Sequence, residues 1–323
     1  MISHDGGITP PEGDSRGLVA PLFSTTVAEN PTVTIIPMDG AEFEQRLLTP
    51  LEEQRFLALL ELGGDLGMAL RMMGAAMRVE TDKGVVVVKN DPGIPGEYED
   101  YRRKSLHLSV LHRNHRLFIE PVMVEQVWEG IMEKGPSPAD VLQALDKGYR
   151  WRRTGSDRYT LNRSRVLLCN YDVARHPDWR SEVFKDLLDW PPNEILVDIR
   201  PDYPGGEVPF QGRISLRSFN SVLQFLARGM SDRREYAVDQ DPRTGLVQVN
   251  PPHTLEIVET SAVPPNAVFS IKYNDRVYSV EETPAAAGEG ANWNLKAFSM
   301  LYQLFQMTQK PVMAPVPGIA IAK

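Results

Sequence analysis

The chain has one cysteine, Cys169, in 323 residues. A single thiol excludes an intrachain disulfide and fits a reducing compartment. It lies inside the apolar run RVLLCNYDV, which reads as a buried small hydrophobe rather than a nucleophile. No stretch approaches the ~20 apolar residues of a membrane span. The opening MISHDGGITPPEGDSRG lacks a basic segment followed by an apolar one, so it does not read as a signal peptide. These absences predict a soluble, cytoplasmic protein.

The usual signatures of catalysis are missing as well. There is no G-x-S-x-G elbow, no Walker A loop and no G-x-G-x-x-G after a strand. Asp198 lies on a strand in EILVDIR, but the lysine and second acid of nuclease chemistry are absent. Glu281-Glu282 and Asp239/Asp241 read as solvated loop charges. Of six histidines, three fall in HLSVLHRNHR: His107, His112 and His115. Read as strand–turn–strand, this segment holds His107 about 27 Å from His115 if extended. Arg113 and Arg116 beside them would repel a cation. No metal and no cofactor are expected.

What remains is ordinary globular material. Hydrophobic residues make 42% and charged residues 24%, enough for a sizeable core. The pattern predicts an α+β fold of mixed helices and short strands. Residues 1–30 read as a loose tail. Residues 31–100 read as strand–helix–helix–strand: PTVTIIPM, a helix begun by a Thr49/Glu52 capping box with Pro50 at its first position, a helix over Asp65–Arg78, then GVVVVKN. Gly63-Gly64 breaks the two helices. Met68, Met72, Met73 and Met77 lie on the second helix, at a spacing that reads as core, with a soft partner groove as the alternative. Residues 101–204 read as a mixed middle domain, with MVEQVWEGIMEKG, SPADVLQALDKG and HPDWRSEVFKDLLDW as helices. The Pro/Gly stretch near Pro204–Val208 reads as a domain boundary. Residues 205–323 read as an antiparallel sheet packed by two helices, SFNSVLQFLARGMS and NWNLKAFSMLYQLFQMTQ. Its strands are GRISLRS, REYAV, LVQV, TLEIVET, the hairpin AVFSIKYNDRVYSVEE, and PGIAIAK as a closing strand.

That C-terminal order, ISLRSFNSVLQFLARG, VFSIKYNDRVYSVEE, NWNLKAFSMLYQLFQM and PVPGIAIAK, resembles the C-terminal part of a set of uncharacterised bacterial proteins, over about 110 residues. Some of them carry an exported or lipoprotein N-terminus, which this chain lacks. The resemblance implies no activity.

Charge is where the sequence stands out. The chain holds 43 acids against 35 Lys+Arg, a net −8. Yet Lys147, Arg150, Arg152, Arg153, Arg158, Arg163 and Arg165 oppose only Asp157, a local +6. Arg102, Arg103, Lys104, Arg113 and Arg116 against Glu120 add a local +4, leaving −18 elsewhere. Such segregation says more about partners than the total does. Tyr149, Trp151 and Tyr159 interleave the first cluster, which reads as a β-hairpin around TGSD. A helix running into a basic hairpin resembles the end of a winged-helix domain, where the wing touches phosphates. Only one short helix lies between Gly135 and the hairpin, too little for a turn helix and a recognition helix. The plainer reading makes Tyr149, Trp151, Tyr159 and Leu161 an inner face, with solvated or ion-paired arginines outside.

Three functions follow, in order. First is a non-enzymatic bacterial interaction or structural protein, acting through a protein partner or self-association. Second is nucleic-acid binding through residues 148–165. Third is a hydrolase using a cleft between domains. The candidate binding residues are Arg150, Trp151, Arg152, Arg153, Arg158, Tyr159, Arg163 and Arg165, joined by Arg102, Arg103 and Lys104. Nucleic acid requires the two clusters to form one continuous positive surface.

Overall fold

The computed structural model describes residues 40–127, 135–155, 158–176, 179–180, 184, 187–228, 234–281 and 292–308. The expected tail, the strand PTVTIIPM and the closing strand PGIAIAK lie outside them.

Three helices open the described chain: α1 (Gly40–Leu48), α2 (Glu53–Glu61) and α3 (Leu66–Met73). The expected capping box does not form. The Thr49 hydroxyl donates back to the Gln45 carbonyl (2.7 Å) and closes α1. Pro50 is drawn into a bridge with Ser218, so the chain is extended where a helix was expected, and α2 starts after Glu52. Gly63 (φ +88°) ends α2 as expected. Asp65 caps α3 by accepting from the Met68 N–H (2.8 Å). That helix stops at Met73, not Arg78, because Gly74 begins a strand.

The strand is β1 (Gly74–Thr81), followed by β2 (Gly84–Lys89), α4 (Pro95–Arg113), β3 (Phe118–Val127), α5 (Pro138–Asp146), β4 (Tyr149–Arg153), β5 (Tyr159–Cys169), β6 (Glu194–Ile199), β7 (Phe210–Leu216) and α6 (Phe219–Arg228). The expected strand pair around HRNHR is therefore helix α4. Leu106, Leu108 and Val110 alternate and mimic a strand. The deciding pattern lies earlier, where Tyr98, Tyr101, Arg102, Ser105 and Leu108 are all buried at helical spacing. Pro95 occupies the first turn, where it costs no hydrogen bond. Conversely, MVEQV, expected as helix, completes β3. Residues 128–134 and seven of the fifteen residues of HPDWRSEVFKDLLDW lie outside the described residues, and Val173–Arg175 form a single 3₁₀ turn.

Seven strands make one sheet in the order β2-β1-β7-β6-β5-β3, with β4 also paired to β5. All neighbours are antiparallel except β5 and β6. Strands from all three expected segments, 31–100, 101–204 and 205–323, join this sheet, and the described residues belong to one compact unit. The proposed boundary near Pro204–Val208 is a tight connection between adjacent β6 and β7. A Cβ on Gly206 would sit 2.1 Å from the Arg200 carbonyl oxygen, and Gly205 has φ +90°. Proline and glycine there serve a turn, not a linker.

Beyond α6 the expected strands REYAV and LVQV are absent. Side chains satisfy that backbone instead: Asn250 Nδ2 donates to the Val238 carbonyl (2.8 Å), and Gln240 Oε1 accepts from the Val247 N–H (3.2 Å). A second, antiparallel sheet follows, β8 (Val258–Thr260), β10 (Arg276–Glu281) and β9 (Ala267–Tyr273) in that spatial order. Asn274 and Asp275, both at positive φ, make its hairpin turn. Helix α7 (Trp293–Thr308) packs on β10, with Phe298 stacked on Phe269 (5.1 Å). Helix α6 packs on α1, α3 and α7. The α+β class is as expected.

Alternation along the strands divides the core. Ile195, Val197, Val166, Leu168 and Ile214 face a main core with Leu51, Phe56, Leu59 and the four methionines. Met68, Met72, Met73 and Met77 are all buried, so the methionine stripe is core. Leu196, Leu167 and Cys169 face a smaller core on the opposite side, with Tyr171, Trp179, Phe184 and Leu187. Each such side chain contributes roughly 1.5–3 kcal/mol by leaving water.

Candidate interaction surface

The basic segment is a hairpin, β4 paired with β5 from Tyr149↔Arg163 to Arg153↔Tyr159. Tyr149, Trp151 and Arg153 share one face with Leu161 and Arg163, while Arg150 and Arg152 point to the other. This matches the expected aromatic face.

The arginines divide into two classes. Arg165 is fully buried. Its guanidinium donates to the carbonyls of Leu187 (2.7 Å), Trp190 (3.0 Å), Pro191 (3.2 Å) and Glu194 (2.9 Å), and its Nε lies 2.8 Å from Glu53 Oε1. Glu53 is buried too, and accepts from the Val166 N–H (2.9 Å). Burial pushes the Glu53 carboxyl up to about 7, against the opposing pull of Arg165. Arg163 is buried beside the Tyr149 ring, 5.2 Å from its centroid. These two residues clasp the sheet to the 187–194 segment and are unavailable to a partner.

Arg150, Arg152, Arg153 and Arg158 are exposed, and Lys147 beside them is exposed as well. Arg153 donates to the Gly155 carbonyl (3.0 Å). Trp151 and Tyr159 are half-buried, the Trp151 ring N–H donating to the Asp140 carbonyl (3.4 Å). Helix α5 packs against β4 and has a complete capping box, Ser137 with Asp140. Its only buried residue is Ala144, while Leu142 and Leu145 are 67% and 52% exposed. This end of the sheet thus exposes two leucines on α5 and five cations on the hairpin and the turn before it, with Arg150 and Arg152 on the face opposite Trp151.

The second basic cluster does not extend this surface. Arg102 is fully buried on α4, donating to Tyr98 and Asn250. Arg103 pairs with Glu99 (3.2 Å) and Asp100 (3.7 Å) on its own helix. Lys104 is half-buried. Helix α4 packs on α3 and on β2, one edge strand of the sheet, whereas the hairpin lies at the β3 end. The continuous positive surface required for nucleic acid is interrupted by acids and by the width of the sheet.

Groups weighed for chemistry are tied down. Asp198 is fully buried. Its Oδ2 accepts from Tyr171 (2.5 Å) and Arg200 (3.0 Å), and its Oδ1 from Gln211 (2.6 Å). Burial first, then the bond to Asp198, hold the Tyr171 phenol above its usual range. Cys169 is buried, and burial pushes its thiol up to about 12. His107 is not a hairpin histidine: it is buried on α4, one ring nitrogen 3.1 Å from Thr244 Oγ1 and the other 3.0 Å from the Gly205 carbonyl. Burial lowers its pKa. Among the described residues no group of three His, Cys, Asp or Glu is arranged to hold a metal. None of their helices is long and apolar enough to cross a membrane.

One open cleft, about 600 Å³, lies between the end of α2, the start of α3, α4 and α7, with Asp65, Ser109, His112 and Lys296 on its walls. Sequence reasoning missed this cleft and the buried ionic clasps. No local signal marks a buried arginine, since its partners are distant carbonyls.

No family model, curated protein or solved structure matches this chain.

Proposed function

We propose that the protein is a non-enzymatic binding module acting through protein–protein contacts, and that α5 with the β4–β5 hairpin docks an acidic partner. The supporting observation is the pairing of Leu142 and Leu145, both more than half exposed, with the exposed Lys147, Arg150, Arg152, Arg153 and Arg158. Exposed apolar side chains on a helix that leads into a basic hairpin suit a protein surface carrying its own hydrophobic contact and carboxylates. A phosphate backbone makes no use of the leucines. Opposite charge would speed encounter and make it depend on salt.

The test places a photo-crosslinking residue at position 142, with position 246 on a separate exposed loop as control. The captured partner should be an acidic protein. Its binding should fall at least tenfold in L142D and in the triple variant R150E/R152E/R158E, with both variants still folded. Labelled duplex DNA and single-stranded RNA are titrated in parallel at about 50 and about 200 mM salt. Tight binding to either, collapsing with salt and with the triple variant, would replace this reading by the nucleic-acid one. Equal capture at 142 and 246 would also overturn it.

A further inference from the structure

Two arginines are buried side by side on different helices, Arg71 on α3 and Arg102 on α4, 3% and 0% exposed. Both donate to one acceptor, Asn250 Oδ1, at 2.8 and 2.9 Å. Arg71 also donates to the Pro251 carbonyl (2.7 Å), and Arg102 to the Tyr98 hydroxyl (2.7 Å). One buried carboxylate serves the pair: Glu235, 3.6 Å from Arg102 Nη1 and itself holding the Thr254 N–H and hydroxyl. A second acid, Asp65, is only half-buried; it caps α3, faces Arg113 at 3.6 Å, and also acts on Arg71 through space. Arginine does not give up its proton inside proteins. Two buried cations therefore share one buried anion, an arrangement that is costly unless another negative charge is present.

The two residues with unfilled valences meet at one cavity. Arg71 Nη1 and Arg102 Nε are buried and have no hydrogen-bond acceptor in the structure. Both residues line a cavity together with Asp65, Gly67, Ser105, Ser109 and Trp293. The cavity leaves about 10 Å³ for the centre of a water-sized sphere. That is room for a single water or monatomic ion, not for a carboxylate-bearing ligand or a phosphate. A water would accept from the two guanidinium groups but would add no negative charge to Glu235 and the half-buried Asp65. Asp65 and Ser109 line both this cavity and the open cleft.

We infer that this cavity is a halide site, in which one chloride-sized anion bridges Arg71 and Arg102. The ion neutralises the second arginine and ties α3 and α4 to the loop carrying Asn250. It joins the helices flanking the cleft, so the cleft's shape follows halide occupancy.

Full-length protein dialysed into sodium gluconate is titrated with sodium chloride at constant ionic strength, and thermal unfolding is followed. The midpoint should climb by about 3 °C for each tenfold rise in chloride above the dissociation constant. Arg71→Lys removes one of the free donors, and Ser109→Val narrows the cavity with both guanidinium groups kept. Each should flatten the dependence, which is read as a slope so that a lower starting stability does not obscure it. A bromide-soaked crystal should show an anomalous peak between Arg71 and Arg102. Identical midpoints in chloride and gluconate, an undiminished slope in both variants, or an ordered water in place of bromide would each overturn the assignment.

Discussion

Replacing Arg165 by methionine keeps most of the side-chain volume and removes the guanidinium that holds four carbonyls and Glu53. A hydrogen bond to a charged group contributes about 1.5–3 kcal/mol, and losses within one network overlap. The expected cost is therefore about 4–6 kcal/mol, a large part of the 5–15 kcal/mol typical of a domain. The cost must also depend on pH. In the wild type, burial raises Glu53 from 4.5 to about 7. A raised carboxyl favours folding most below 4.5, and that contribution, about 3 kcal/mol, disappears as pH climbs through 7. Arg165 is the main influence holding Glu53 down, so its loss raises the carboxyl further and steepens the decline. Urea unfolding at pH 5 and pH 8 should show R165M losing more at pH 8. The double variant E53Q/R165M, with neither charge of the pair left, should recover about 2 kcal/mol there. A cost below about 1 kcal/mol, or equal costs at both pH values, would refute the clasp.

Three further outcomes follow from geometry. Gly74→Ala would place a Cβ 1.8 Å from the Tyr101 hydroxyl and 2.6 Å from the Leu70 carbonyl oxygen; it should cost about 3 kcal/mol or more, and Tyr101→Phe in the same chain should return part of it in thermal unfolding. Cys169 should resist a thiol reagent at pH 8 until denaturant unfolds the chain, because burial holds the thiol near 12. Asn274 sits at φ +47° in the β9–β10 turn, so Asn274→Val should destabilise by about 1 kcal/mol and Asn274→Gly should be neutral or slightly stabilising by calorimetry.

Residues 66–113 show where reading by pattern succeeds and fails. The start of α3 was legible from the Gly63-Gly64 break, and Asp65 caps the helix there. The end of α3 did not announce itself. Nothing local distinguishes Gly74 as a strand start; what selects glycine is Tyr101, which arrives on another helix. Alternating Leu106, Leu108 and Val110 looked like a strand because a helix buried on most sides hides its period. The proposed surface was half legible. The hairpin, its aromatic face and the preceding helix follow from turn residues and spacing. Which arginines reach solvent does not.

The chain alone determined the α+β class, the β4–β5 and β9–β10 hairpins, the methionine core and the charge contrast between residues 147–165 and the rest. All of these depend on neighbours within a few residues or on composition. Tertiary structure decided that one sheet spans the expected domains, that Arg102, Arg163 and Arg165 face inward, and that Arg71 meets Arg102 at one cavity. A guanidinium is drawn inside by carbonyls and carboxylates that the fold delivers from far along the chain, and such distant partners leave no period or spacing to read.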